Sequence, residues 1–149
     1  TLLENLNSVG QILISDKKIR DEKIDSMISK FELEPVMNVK ANHLSGGQKK
    51  KLVIALALLG SPKILLLDEP FAALDIMTIK MLQKIIVNLQ SESNISIILC
   101  DHAARDLLKI CDFSLVLSNC KIVASGTPTE LINNSEARSA YFGDSFILR

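Results

Sequence analysis

Two apolar segments of this sequence end in side chains that can do chemistry. The segment KILLL is followed by Asp68 and Glu69, and the segment ISIILCD is followed by His102. A carboxylate at the end of a strand can hold Mg²⁺, a glutamate against apolar walls can act as a general base toward water, and a histidine can contact a developing phosphate charge. The combination predicts metal-assisted phosphoryl transfer to water, with Asp68 at the metal and Glu69 and His102 as catalytic groups.

The elements that must position these side chains are two strands of a parallel sheet. A short unbroken apolar run is typical of a parallel strand that is covered on both faces, and residues 63–68 fit this description. A helix is predicted over 76–91, where apolar residues recur at helical spacing, and a second buried strand over 95–100. Ligands bind outside the carboxyl ends of such strands, so we expect the two carboxylates and the histidine to share one crevice.

The stretch LSGGQKKK, residues 44–51, places two glycines and three lysines where a helix begins. Ser45 and Gln48 fit a capping box. Glycine weakens a helix interior by about 0.5–1 kcal/mol relative to alanine, and cations near a helix N-terminus face the positive end of its dipole. An anion that docks at this end would explain both features. The following run LVIALALL is apolar on all sides, which predicts a deeply buried helix that stops at Gly60.

Each of these features alone has a structural alternative. Asp68 and Glu69 could simply end a strand, and His102 could cap a helix or pack against neighbours. The glycines of LSGGQ could form a tight turn, and the lysines after them a solvated face. The functional interpretation therefore depends on the combination of the features and on their order.

Composition narrows the classes of protein that fit. The chain has 149 residues, of which 48% are hydrophobic, and Lys+Arg and Asp+Glu number 17 each. The balanced charge argues against a general nucleic-acid binder, which normally shows a basic excess. The three cysteines, Cys100, Cys111 and Cys120, show no CxxC spacing. We therefore expect buried free thiols in a reducing compartment, and neither a disulfide framework nor a zinc site. No apolar run approaches the roughly 20 residues that a membrane span needs.

The two ends of the chain complete an α/β pattern. Residues 1–34 are predicted to be helical, and 35–43 to be a loop. Near the other end, residues 113–117 and 121–124 predict a hairpin that turns at Ser118-Asn119. A capping box at Thr127 with proline at the first helical position predicts a helix over 128–133, and a last short helix is expected over 136–142. Strand, helix, strand, helix, strand is typical of α/β proteins.

The motifs, in this order, resemble the ATPase subunit of ABC transporters. LSGGQ matches the signature sequence of that family, ILLLDEP its Walker B strand with the following glutamate, FAALD its D-loop, and LCDH its switch-histidine segment. The resemblance covers essentially the whole chain, and the motifs are highly specific in combination. It implies part of a P-loop NTPase fold, with a helical subdomain over 1–61 and the C-terminal part of a RecA-like α/β core over 62–149.

The resemblance also implies partners and roles. The signature residues, including Ser45 and Gln48, would bind the γ-phosphate of an ATP held mainly by a second copy in a head-to-tail homodimer. Asp75 would lie at the subunit interface, Asp68 at Mg²⁺, Glu69 would be the base, and His102 would sense the γ-phosphate. The signature glycines that join this phosphate site are Gly46 and Gly47. Transmembrane permease subunits would place the protein at the cytoplasmic face of the inner membrane.

Other parts of the family pattern are missing or altered. GxxxxGK[ST], the phosphate-cradling loop, does not occur in the 149 residues, nor does any Gly-Lys dipeptide. We therefore expect the chain to be the C-terminal portion of a longer subunit. The 149-residue chain alone is expected to bind ATP poorly and not to hydrolyse it. Leu56 stands where the family usually has arginine, and Ile76 where a proline is often found.

The C-terminal residues indicate the branch of the family. GTPTEL at 126–131 followed by AYFGDSF at 140–146 resembles the ATPases of lipopolysaccharide export. ATPases of branched-chain amino-acid importers are similar but usually lack the longer tail. Two other classes stay open: a soluble ABC protein that acts on nucleic acid, which the balanced charge disfavours, and a non-catalytic ABC-derived interaction module, with which the missing phosphate loop is compatible.

Overall fold

The computed structural model describes residues 1–93, 95–143 and 146. It divides into two compact units, Thr1–Cys100 and Asp101–Arg149, which are described separately. The predicted division at residue 61 stays a prediction.

The first unit begins with three packed helices: α1 (Leu2–Leu13), α2 (Lys17–Lys30) and α3 (Gly46–Leu59). The first two lie within the predicted helical region and start at capping residues: Thr1 forms a capping box with Glu4, and the Asp16 carboxylate accepts a hydrogen bond from a backbone N–H of the first turn. Helix α2 ends at Lys30, four residues before the predicted end of the helical region. Of two 3₁₀ turns that follow, Glu34–Val36 begins one residue before the predicted loop, and Ala41–His43 lies within it. The buried side chains that fill the space among these helices include Leu2, Leu6, Ile24, Ile28, Phe31, Leu33, Leu52 and Leu58.

Two parallel strands and a crossover helix complete this unit. Strand β1 (Ile64–Asp68) leads through helix α4 (Ile76–Ser93) to strand β2 (Ser96–Cys100). The strands pair in register from Ile64 with Ser96 to Asp68 with Cys100. Both carboxyl ends therefore lie at the same edge of the sheet, as the sequence predicts.

The prediction that β1 is covered on both faces is wrong for this chain. Its side chains alternate, with Leu65 buried, whereas Ile64 and Leu66 are 59% and 70% exposed. Successive side chains of a strand point to opposite faces of the sheet. An apolar run is therefore buried throughout only where both faces are packed against other elements. Ile98 of β2 is exposed in the same way, so one face of this two-stranded sheet is open in the described part of the chain.

Helix α3 is also less buried than its composition predicts. Ile54, Ala55 and Leu59 are buried, but Val53 is 62% exposed. An apolar run shows no periodicity, so it does not reveal which side of the helix packs against α1 and α2.

The second unit is a hairpin with short helices. Its elements are α5 (Ala104–Leu108), β3 (Ser114–Ser118), β4 (Lys121–Gly126), α6 (Pro128–Asn133) and α7 (Ser135–Ala137), followed by a π-helical turn (Arg138–Phe142). The small core of this unit consists of Leu108, Val116, Ala124, Leu131 and Ala137.

The hairpin turns one residue later than predicted. Asn119 and Cys120 occupy the turn, both with positive φ, at 49° and 60°. Two consecutive positive φ values are those of the two-residue turns whose twist matches the flanking strands. The prediction of buried thiols is wrong for Cys120, which is exposed in this turn, and for Cys100, which is exposed at the end of β2. Of the expected tail motif, residues 144 and 145 lie outside the described part of the chain.

Within the described ranges, the structure contains no helix that is long and apolar enough to cross a membrane.

Candidate functional site

The signature residues form the N-terminal end of α3. Ser45 is the N-cap, and its Oγ accepts a hydrogen bond from the Gln48 N–H at 3.3 Å. The Ser45 N–H donates to Gln48 Oε1 at 2.9 Å, which closes the predicted capping box. The first N–H groups of any α-helix lack partners within the helix, and in α3 these belong to Gly46 and Gly47. This end can therefore receive an anion.

The end of α3 lies against the chain that follows β1. A Cβ added to Gly46 would stand 3.9 Å from the Ala73 carbonyl oxygen, an ordinary contact. A Cβ added to Gly47 would stand only 2.9 Å from Cγ2 of Thr78, closer than side chains tolerate. Gly47 is thus a glycine because the backbone of α3 passes directly over Thr78.

Glu69 is held firmly through its main chain. Its N–H donates to the Cys100 carbonyl at 2.7 Å, and its own carbonyl accepts hydrogen bonds from the Ala72 N–H at 3.3 Å and from Lys50 Nζ. The residue adopts a φ of 47°, a conformation that is uncommon for residues other than glycine. These contacts fix the backbone position of Glu69, whose side chain is exposed.

Asp68 is the last residue of β1, and its side chain is exposed at the carboxyl edge of the sheet. In the described part of the chain, no group of three or more His, Cys, Asp or Glu side chains is placed to hold a metal ion. A Mg²⁺ ion that is bound mainly by phosphate oxygens and water needs only one or two protein carboxylates. Asp68 fits that role.

Asp75 caps the crossover helix. Its Oδ1 accepts hydrogen bonds from the N–H groups of Met77 and Thr78, both at 3.0 Å, and its Oδ2 accepts one from Thr78 Oγ1 at 2.5 Å. The hydrogen bond from the Thr78 hydroxyl is the largest cause that lowers the pKa of the Asp75 carboxyl below its ordinary value. Asp75 is therefore ionised and fixed in orientation near neutral pH.

His102 belongs to the second unit. Its carbonyl accepts hydrogen bonds from the Ala104 N–H at 2.9 Å and from the Tyr141 hydroxyl at 3.2 Å. Asp101 Oδ1 accepts from the Ala103 N–H at 2.8 Å, which turns the chain into α5. A cavity of about 390 Å³ adjoins this segment and is lined by His102, Ala103, Ala104, Arg105, Asp106, Tyr141, Phe142 and Phe146.

The structure thus brings some of the predicted residues together. Contacts join the signature end of α3 to the segment 69–78, which contains Glu69 and Asp75. His102 lies in the other unit, so the crevice that it was expected to share with Asp68 stays a prediction.

Three further residues with contacts to the candidate site, Lys50, Thr78 and Tyr141, were not singled out from the sequence. A signal existed for the backbone contact of Thr78, because an aspartate before a helix accepts hydrogen bonds from the N–H groups two and three residues on. Lys50 could not be told from its neighbours Lys49 and Lys51, since three consecutive lysines carry no information about which one turns inward. Nothing in the sequence links Tyr141 to His102, 39 positions away.

Comparison with known proteins agrees with the motifs. The sequence profile of the ABC transporter family matches residues 1–72. The chain is 34% identical to the lipopolysaccharide export system ATP-binding protein LptB of Haemophilus influenzae, over 99% of this chain and 61% of that protein. The chain therefore spans about three fifths of the length of such curated relatives.

Solved structures agree on the fold. The ATP-binding cassette MJ1267 of an ABC transporter matches with a TM-score of 0.82 at 24% identity, over 96% of this chain and 63% of that one. The ATP-binding cassette MJ0796, in a dimeric post-hydrolysis state bound to ADP and Pi, matches with a TM-score of 0.72 at 25% identity, over 83% and 56%. Motif order, fold and relatives agree, and this chain is similar over nearly its whole length to ATP-binding proteins of the ABC transporter family.

Proposed function

We propose that the native protein that carries this chain is the ATP-binding and ATP-hydrolysing subunit of an ABC transporter. The observation that carries the proposal is the docking of the signature end of α3 on the segment 69–78, through Gly47 at Thr78 and Lys50 at the Glu69 carbonyl. This docking holds the anion-binding helix end beside Asp75, the residue proposed for the subunit interface, because Thr78 contacts both Gly47 and Asp75.

The signature end binds the γ-phosphate in this proposal. The side chains of Ser45 and Gln48 close the capping box, and the N–H groups of Gly46 and Gly47 point along the helix axis toward the anion. The absence of side chains on the glycines lets the phosphate approach the backbone closely. This interaction is made across a head-to-tail dimer, with an ATP that the second copy holds, and Asp75 lies at the interface.

The residues proposed to hydrolyse ATP lie at or just after the carboxyl ends of the two strands. Asp68 supplies a carboxylate ligand to Mg²⁺, whose charge stabilises the phosphate oxygens when it is bound. Glu69 takes the proton of the attacking water as general base. His102 donates a hydrogen bond to the γ-phosphate. The main-chain hydrogen bonds of Glu69 hold its backbone in place while its carboxylate accepts the proton.

The partners and the place in the cell follow from the same proposal. The helices within residues 1–61 form a subdomain that docks on a transmembrane permease subunit, while 62–149 belong to the ATPase core. The protein is then peripheral, at the cytoplasmic face of the inner membrane.

Lipopolysaccharide export is the proposed transport process. Its support is the name of the relatives, which share 31–34% identity with this chain, together with the C-terminal GTPTEL and AYFG sequences. An importer of branched-chain amino acids is the second candidate, and copurified membrane subunits would distinguish the two.

The 149 residues alone are proposed to bind ATP weakly and not to hydrolyse it. A P-loop lysine and its glycine-rich turn normally hold the β- and γ-phosphates, and the sequence contains no GxxxxGK[ST]. Isothermal titration of the 149-residue chain with ATP and Mg²⁺ tests this. Affinity in the micromolar range, or turnover abolished by Glu69→Gln, would contradict it.

The function itself is tested on the native protein purified from its cells. We expect ATP hydrolysis, a copurifying integral membrane protein, and stimulation of hydrolysis by that partner. A native protein that neither hydrolyses ATP nor copurifies with a membrane subunit would favour the interaction-module alternative.

A further inference from the structure

We propose that Thr78 is a positioning residue that couples Asp75 to the signature glycine Gly47. The inference rests on the proposed function, which gives Gly47 its task at the nucleotide and Asp75 its place at the subunit interface. The two branches of one threonine side chain make the two contacts, so the position of one group depends on the position of the other.

The hydroxyl branch of Thr78 holds the Asp75 carboxylate. Thr78 Oγ1 donates to Asp75 Oδ2 at 2.5 Å, while the Met77 and Thr78 N–H groups bind Oδ1 at 3.0 Å. With both oxygens engaged, the carboxylate has one orientation. Hydrogen bonds to the ionised form also lower the pKa of Asp75, and the one from the Thr78 hydroxyl contributes most.

The methyl branch of Thr78 meets the signature turn. A Cβ on Gly47 would stand 2.9 Å from Thr78 Cγ2 and 3.5 Å from Thr78 Oγ1. The Thr78 side chain thus occupies the space that a side chain at Gly47 would need. Gly46 is different, since its Cβ would meet only the Ala73 carbonyl oxygen, at 3.9 Å.

A threonine is suited to join the two contacts. A β-branched side chain is stiff about χ1, so the hydrogen bond that fixes Oγ1 also fixes the direction of Cγ2. Movement of the signature end against Cγ2 therefore turns the hydroxyl away from Asp75. Serine would keep the hydroxyl without the methyl group, and valine would keep the shape without the donor.

The first test is the titration of Asp75 in the nucleotide-free 149-residue chain, followed by carboxyl-carbon NMR. In Thr78→Val we expect the pKa of Asp75 to rise toward its ordinary value of 3.8, because the largest contribution is removed. In Thr78→Ser we expect it to stay low. An unchanged pKa in Thr78→Val would overturn the hydroxyl part of the proposal.

The second test is a double-mutant comparison. Gly47→Ala should raise the pKa of Asp75 in the wild-type background, because the new Cβ displaces Thr78. The same change in a Thr78→Ser background should leave the pKa low, since the methyl group in the way is gone. Gly46→Ala is the matched control and should leave the pKa unchanged in both backgrounds.

Equal effects of Gly47→Ala in the two backgrounds would overturn the coupling. Both tests are made without nucleotide, so they can fail while ATP hydrolysis by the native protein is observed, and they can succeed while it is not. If Thr78→Val does not fold, the Gly47→Ala comparison decides the proposal alone.

Discussion

The N–H of Glu69 donates to the carbonyl of Cys100 at 2.7 Å, which joins the residue after β1 to the last residue of β2. The Glu69 carbonyl is in turn held by Lys50 of α3. The candidate base is therefore connected through its main chain to the sheet and to the signature helix. Its left-handed backbone conformation, with φ at 47°, is maintained by these contacts.

Lys50→Met should loosen this connection. Removal of the ammonium group leaves the Glu69 carbonyl without that donor, and we expect the free energy of unfolding to fall by about 1 kcal/mol. Urea unfolding of the 149-residue chain measures it. Lys49→Met is the matched control, because Lys49 is the exposed neighbour on the same helix. Equal effects of the two substitutions would contradict a specific role for Lys50.

Ser45→Ala should destabilise α3 and also impair hydrolysis by the native protein. Loss of an N-cap side chain costs about 1 kcal/mol. Thr127→Ala is a matched control, since Thr127 forms the same kind of capping box with Glu130 in α6. We expect both variants to lose similar stability by thermal unfolding, but only Ser45→Ala to lower the rate of ATP hydrolysis. A similar loss of rate in Thr127→Ala would assign the effect to stability.

Glu130 should contribute stability that depends on pH. Hydrogen bonds from the N–H and hydroxyl of Thr127 lower the pKa of Glu130 below its ordinary value of 4.5. A carboxyl whose pKa is lowered in the folded state binds fewer protons than in the unfolded chain, so its stabilisation is present above pH 4.5 and is lost as the pH falls through the folded value.

We therefore expect Glu130→Gln to be less stable than the wild type at pH 7 and to approach it in stability as the pH falls below 4.5 and through the lowered pKa of Glu130. Urea unfolding between pH 3 and 7 measures the difference. A gap between the two proteins that widens as the pH falls would contradict the assignment.

The elements that the sequence predicts best are those whose structure is decided by local chemistry. The capping boxes at Ser45 and Thr127 locate the starts of α3 and α6, because the cap side chain and its partner are three residues apart. The parallel pairing of β1 and β2 was also expected, since a helix separates the two apolar runs. The motif order predicted a resemblance to the ATPase subunits of ABC transporters, and the comparisons confirm that resemblance.

The sequence does not predict burial that depends on residues distant in the chain. An apolar run such as ILLL does not reveal whether one face or two are covered, and Leu66 is exposed here. The same limit applies to Val53 in α3. Contacts such as Lys50 with Glu69 join residues 19 positions apart, and no local pattern specifies them. The roles of the candidate site residues likewise stay predictions.

The most direct test of the account is the rate of ATP hydrolysis by the native protein, compared with that of its Glu69→Gln variant. The amide keeps the size of the side chain and leaves the main-chain hydrogen bonds of Glu69 in place, but it cannot accept the proton of the attacking water. We predict a rate lower by about 10²–10⁴-fold with thermal stability unchanged. A variant that hydrolyses ATP at the wild-type rate, or a wild type with no hydrolysis, would contradict the central claim.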